Sequence, residues 1–213
     1  TERSGKPEGT GNHMNVAILG LGLMGGSLGL ALKARGGYRV FGYARRRATR
    51  ALALKRKAVD RIFDDPAKAV QSADIVVLCV PVLAIPDLIR KCRCHFASGC
   101  LVTDVGSTKR HVTTEARKIL KHDKVTFVGS HPMVGSDETG LETARADLYR
   151  GGAVIVTPSA GAERKKTALV ANFWKRIGAD VSVMTPEAHD KIIARTSHLP
   201  HLVASALVKS VYH

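Results

Sequence analysis

Aromatic side chains are scarce in this sequence. Tryptophan, tyrosine and phenylalanine together make 5% of 213 residues, and there is a single tryptophan. Unspecific single-strand nucleic-acid binders stack bases on such rings, and no nucleic-acid motif accompanies the basic residues, so no nucleic-acid partner is expected. Long apolar runs are missing as well. None approaches the roughly 18 residues of a membrane span, and no signal peptide is visible, so neither membrane insertion nor secretion is expected. Acidic residues are thin in one region: from Lys33 to Arg61 the only acid is Asp60, while Arg45, Arg46 and Arg47 are consecutive. Cysteine is confined to Cys79, Cys92, Cys94 and Cys100. The C-x-C-H run at 92–95 departs from the usual spacing of metal-binding cysteine pairs. Plain thiols in a reducing cytoplasm are the expectation, with no metal.

What is present is a chain with 45% apolar residues and a formal charge of +15. That suffices for one sizeable domain and part of another. Solvated helix faces account for most of the charge. The opening TERSGKPEGTGNH is polar and glycine-rich, and reads as a tag or a disordered extension before a native start at Met14. Apolar, β-branched runs follow at 15–20, 38–43, 74–80, 100–105, 125–130, 153–158 and 180–185, separated by helical patterns at 25–36, 46–57, 84–93, 107–121 and 162–177. Most of the runs are continuous rather than alternating, as in strands covered on both faces. Alternating strand and helix imply an α/β fold with a Rossmann-like, doubly wound, mainly parallel sheet over 14–185. From Pro186 only helical periodicity remains, so 186–213 is expected to begin a second, all-helical domain that the chain leaves unfinished.

The first run leads into Gly20-x-Gly22-x-x-Gly25 and then a helix. Gly20 permits the tight turn, Gly22 lets the backbone approach a pyrophosphate, and Gly25 lets helix and strand pack closely. The helix N-terminus offers N–H groups to the phosphates. Leu23 and Met24 sit between these glycines, while Val80-Pro81 and Gly106 close two further strands; all join the expected cofactor-binding set. The second strand ends GYARRR. No carboxylate follows Ala44 to hold a ribose 2′-hydroxyl, and the Arg45 and Arg46 guanidiniums suit a 2′-phosphate, so NADP is expected over NAD.

In LVTDVGSTKR, Ser107 follows a strand and either caps the next helix or faces the ligand crevice at the carboxyl edge of the sheet. In VTFVGSHP, His131 stands at a strand tip on that same edge, and Pro132 holds it extended. A histidine so placed is suited to accept a hydroxyl proton while hydride leaves the same carbon.

GLGLMGGSLGLAL, TDVGSTK, GSHPMVGSDETG and HDKIIARTSHLPH, in that order, resemble the prephenate/arogenate dehydrogenases of tyrosine biosynthesis over Met14–His213. The resemblance implies an oxidative decarboxylation: ring C4 gives hydride to the nicotinamide, the C1 carboxylate leaves as CO2, and the ring becomes aromatic. It implies that His131 takes the C4 hydroxyl proton with Ser107 hydrogen-bonded to it or to the hydroxyl. His198 and His201 would reach the substrate from the helical domain, with Pro200 bending the helix around the crevice. Ser136 and Asp137 would bear on prephenate against arogenate. The family's substrate-side arginine lies beyond this chain, and its helical domain forms a homodimer, so this chain is expected to bind NADP yet turn over poorly. Two rival readings are a β-hydroxyacid dehydrogenase, with Lys191 as the nearest catalytic lysine, and a non-catalytic nucleotide- or nucleic-acid-binding module.

Overall fold

A computed structural model of the chain describes residues 13–135 and 137–211. Its first half alternates β1 (Met14–Leu19), α1 (Leu23–Arg35), β2 (Tyr38–Tyr43), α2 (Arg47–Lys55), β3 (Arg61–Phe63), α3 (Pro66–Val70), β4 (Ile75–Leu78), α4 (Ile85–Cys92), β5 (Leu101–Asp104), α5 (Arg110–Ile119) and β6 (Thr126–Phe127). The six strands form one parallel sheet in the order β3-β2-β1-β4-β5-β6. Strand order reverses between β1 and β4, so their carboxyl ends open a crevice at the switch point.

The continuous apolar runs are explained by two covered faces. Val16, Ile18, Ile75 and Val77 pack into a core with Leu28 and Leu32 of α1. Their neighbours Ala17, Leu19, Val76 and Leu78 pack into a second core with Ile85 and Ile89 of α4 and Val112 of α5. Neither β3 nor α3 was expected. β3 has three residues at the sheet edge, too short for a period. α3 does carry a start signal, since Asp65 accepts from the Ala67 N–H at 3.1 Å and Pro66 opens the helix.

The run 125–130 is not one strand. It splits into β6 and β7 (Gly129–Pro132), and β7 leaves the parallel sheet for a second one. There it runs antiparallel to β8 (Ala153–Thr157), which runs parallel to β9 (Asp180–Val183). Gly129 makes the switch possible: a Cβ there would stand 2.6 Å from Thr157 Oγ1. An interior strand glycine marks such a close approach. Between β8 and β9, α6 (Arg164–Arg176) adds Phe173 and Trp174 to the first core.

After β9 the described chain is helical, as expected. Thr185 Oγ1 caps the Ala188 N–H of α7 (Pro186–Ile193), a π-helical turn covers Ala194–His198, and α8 (Leu199–Val211) follows. The wide turn comes just before Pro200, whose ring nitrogen cannot donate, and a π turn is one way a helix accommodates such a break. α8 has no buried residue; Leu202, Leu207 and Val211 are 68%, 65% and 75% exposed. Among the described residues no helix is long and apolar enough to cross a membrane.

Candidate active site

The glycine loop builds one wall of the crevice. Gly20 adopts φ +107°, and a Cβ there would lie 2.2 Å from the Cys79 carbonyl oxygen. A Cβ on Gly25 would meet the Gly20 carbonyl oxygen. Gly22 has open space at the corresponding position and is the N-cap of α1, which has no side-chain cap and no acid in its first turn. These are the properties a phosphate cradle needs. Gly20, Gly22, Arg45, Arg46, Val80 and Pro81 line a crevice of about 620 Å³. Leu23 and Met24 instead turn their side chains against the first core. At the end of β2, Ala44 is buried while Arg45 and Arg46 are exposed, and Arg50 Nη1 donates to the Ala44 and Arg45 carbonyls at 3.0 and 2.8 Å. That clamp holds the two arginines on the crevice rim. Two carboxylates, Asp87 and Glu142, also reach the crevice; Asp87 pairs with Arg90 at 2.6 Å.

The opposite wall is a strap. Arg56 donates to the carbonyls of Leu141, Glu142 (2.9 Å) and Ala144 (2.6 Å). The Arg145 N–H donates to Ser27 Oγ at 3.0 Å, and Tyr149 Oη donates to the Met24 carbonyl at 2.7 Å. Leu141 approaches Gly26 so closely that a Cβ there would lie 2.2 Å from Leu141 Cδ1. The fourth glycine of the loop, Gly26, therefore belongs to the strap rather than to the phosphates.

Beside the crevice, the end of β5 carries a buried polar knot. Asp104 and Lys109 form an ion pair with both side chains fully buried. Lys109 Nζ also donates to the Ser130 carbonyl at 2.8 Å, and Asp104 accepts the N–H groups of Gly106 (2.9 Å) and Ser130 (3.1 Å). Ser130 Oγ donates to the Asp104 carbonyl at 2.6 Å, so its lone pairs receive Thr103 Oγ1 (2.9 Å) and Trp174 Nε1 (3.0 Å). Burial pushes the Lys109 ammonium below the usual lysine range, and the Asp104 carboxylate opposes this. The knot fastens the TDVGSTK loop to β7. Gly106 serves it, since its N–H is taken by Asp104, and it is not among the crevice-lining residues.

His131 lies inside β7, opposite Ile155, rather than following a strand of the parallel sheet, and it is 8% exposed. Gly129 is the reason, because the chain changes sheets two residues earlier. Ser130 still holds His131 beside the carboxyl end of β5. His131 Nδ1 is 2.9 Å from His189 Nε2, and His189 Nδ1 is 2.7 Å from Asp190 Oδ1. Burial lowers the His131 pKa to about 4, helped by the positive charge of Lys109 and by His189 and His198; Asp190 acts in the opposite sense. His131 is therefore neutral at neutral pH.

Residues 28–183 match the family described as prephenate dehydrogenase, nucleotide-binding domain. The chain belongs to the prephenate dehydrogenase family. Residues 185–213 match that family's dimerization domain. A cyclohexadienyl dehydrogenase of Zymomonas mobilis is 34% identical over 92% of this chain and 67% of its own length. A prephenate dehydrogenase of Bacillus subtilis is 34% identical over 95% of this chain and 55% of its own. The crystal structure of a prephenate dehydrogenase from A. aeolicus, in complex with hydroxyphenyl propionate and NAD+, is 33% identical with a TM-score of 0.88, covering 98% of this chain and 71% of that one. The chain thus spans between about half and two thirds of these curated relatives.

Within this family member the remaining expected residues fall in different places. Ser107 is exposed and does not cap α5, which begins three residues later than expected. The cap comes from Asp190, whose carboxylate takes the N–H groups of Lys109 (2.8 Å) and Arg110 (2.9 Å). His198 lies in the π turn, near enough for its charge to act on His131. His201 is exposed on α8 and pairs with Ser205 Oγ of its own helix at 3.2 Å. Asp137 is exposed on the loop leading into the strap, and Ser136 lies outside the described residues. Lys191 is exposed on α7 while His189, two residues before it, is buried against His131, so the rival lysine does not enter the site. Cys92 is buried and Cys94 exposed.

His189, Asp190 and Arg56 were not singled out from the sequence. His189-Asp190 did carry a signal, as the HD that opens HDKIIARTSHLPH. Arg56 carried none, because its partners are carbonyls more than eighty residues away.

Proposed function

We propose that the full-length protein is an NADP-dependent dehydrogenase that oxidatively decarboxylates prephenate or arogenate, in the tyrosine pathway. The observation that carries this reading is a buried, neutral histidine fastened to the carboxyl end of β5, next to a glycine-loop crevice with an arginine rim. Bound NADP supplies the hydride acceptor. The glycine loop and the α1 N-terminus orient the pyrophosphate, and Arg45 and Arg46 receive the 2′-phosphate. His131 takes the C4 hydroxyl proton, Ser107 orients that hydroxyl or His131, and His198 and His201 contact the substrate. Ser136 and Asp137 bear on the choice between the two substrates. The exposed apolar α8 pairs with a second copy of the chain, consistent with the dimerization-domain match at 185–213. A cytoplasmic setting suits the four unpaired thiols.

The test measures NAD(P)H formation by the full-length protein with prephenate and arogenate, each with NADP and NAD. One charge-assisted contact contributes roughly 1.5–3 kcal/mol, or about 10- to 100-fold. kcat/KM is expected to favour NADP, and Arg46→Ala to erase roughly tenfold of that preference. No turnover with either substrate sinks the reaction class, and a wild-type preference for NAD sinks the cofactor assignment.

A further inference from the structure

We propose that Asp190 and His189 are positioning residues that hold His131 in one tautomer, with hydrogen on Nδ1 and the basic lone pair on Nε2. The proposal deepens the dehydrogenase reading and rests on it for the role of His131. The argument begins at Asp190. Its Oδ1 accepts the Lys109 N–H at 2.8 Å and its Oδ2 the Arg110 N–H at 2.9 Å. Burial alone would raise its pKa, but those two N–H groups and His189 outweigh burial and hold the carboxyl below its usual range. An ionised carboxylate can only accept hydrogen bonds. His189 Nδ1, 2.7 Å away, must therefore carry hydrogen.

His189 is itself fully buried. Burial and the Lys109 charge disfavour its protonated form, outweighing the support of Asp190 and Asp104. In the neutral ring Nε2 holds a lone pair. That nitrogen faces His131 Nδ1 at 2.9 Å, so His131 Nδ1 must be the donor. What remains on His131 is an unprotonated Nε2. The charged and titratable groups facing His131 are Lys109 before α5, His189 and Asp190 on α7, and His198 in the π turn. None of them reverses the order of donors. Each link uses one hydrogen and one lone pair, so reversing any one reverses the next.

Asparagine at 190 tests this, because its amide offers both a donor and an acceptor in nearly the same shape. The NH2 group can donate to His189 Nδ1, which moves that ring's hydrogen to Nε2 and in turn His131's hydrogen to Nε2. A comparable carboxylate-to-amide exchange behind a serine-protease histidine reduces kcat roughly 10⁴-fold through the wrong tautomer. The 213-residue chain, labelled with 15N in histidine, gives the tautomers directly from two-bond 1H–15N correlations at neutral pH, with His131→Gln and His189→Gln for assignment.

The expected spectrum shows Nδ1–H on both rings in the wild type and Nε2–H on His131 in Asp190→Asn. In the full-length enzyme Asp190→Asn should lower kcat by at least about 10²-fold while KM changes little. Nε2–H on His131 in the wild type overturns the proposal without any variant having to fold. An Asp190→Asn protein whose kcat does not follow its His131 tautomer, reversed with wild-type kcat or unchanged with kcat lost, overturns it as well. Because the spectrum needs no substrate, failure of the wild-type enzyme to oxidise either cyclohexadiene would remove the reaction assignment and leave the tautomer result intact.

Discussion

Acid should unfold this protein partly through one residue. His131 ionises near pH 6.5 in an unfolded chain and at about 4 in the fold. Between those values the unfolded chain binds more protons, so stability is fully present above pH 6.5 and is lost as pH falls toward 4. Below pH 4 both states are protonated and no more is lost from this source. With a shift of about 2.5 units at about 1.36 kcal/mol each, the total is roughly 3 kcal/mol; about 1.4 is lost by pH 5.5 and about 2.5 by pH 4.5. Burial justifies the conversion, since the side chain is 8% exposed. His189 shifts in the same direction and adds to the effect. Urea unfolding followed by Trp174 fluorescence at pH 7.5, 5.5 and 4.5 measures it, in the wild type and in His131→Gln. Glutamine can still offer an N–H to His189, but it does not titrate. The wild-type curve should therefore fall more steeply, by about 2 kcal/mol or more over the range. Parallel curves for the two proteins would refute both the buried neutral state of His131 and the lowered pKa behind it.

Gly26→Ala should cost roughly 1–3 kcal/mol and weaken NADP binding several-fold, because the added methyl displaces Leu141 from the strap; thermal unfolding and calorimetry measure the two effects, and wild-type values for both would mean the strap yields freely. Lys109→Met should cost about 3–5 kcal/mol by leaving the Asp104 carboxylate buried without its counter-charge. Adding Asp104→Asn should restore part of that loss in denaturant titrations, and a double variant no more stable than the single one would assign the loss to packing instead.

The parallel sheet was legible because its central strands are apolar on both faces, which leaves a continuous signature at 15–20 and 74–80. Gly20 and Gly25 were legible for a related reason: each answers a local steric demand that only glycine meets. The second sheet was not. VTFVGSHP is one unbroken β-rich run, and only Gly129 within it signals that the chain changes partners. β3 was too short to carry a period. Which of its two roles Ser107 takes was not legible, because the cap of α5, Asp190, lies eighty residues on and leaves no trace in the local pattern. The same distance hid His189 from a reading that followed strand tips. Its partner is set by how α7 packs against α5, and packing between elements is what a single sequence encodes least directly.

Asp190 uses one carboxylate for two duties, closing the N-terminus of α5 and anchoring the line of imidazoles that ends at His131. Those duties cannot be released separately. If α7 swings away from the nucleotide domain, α5 loses its cap and His131 loses the neighbour that orients its hydrogen, in a single motion. The histidine then becomes an ordinary imidazole, free to exchange tautomers and to meet solvent. In the proposed reaction this makes an interlock, in which the base is armed only while the helical region is seated against the sheet.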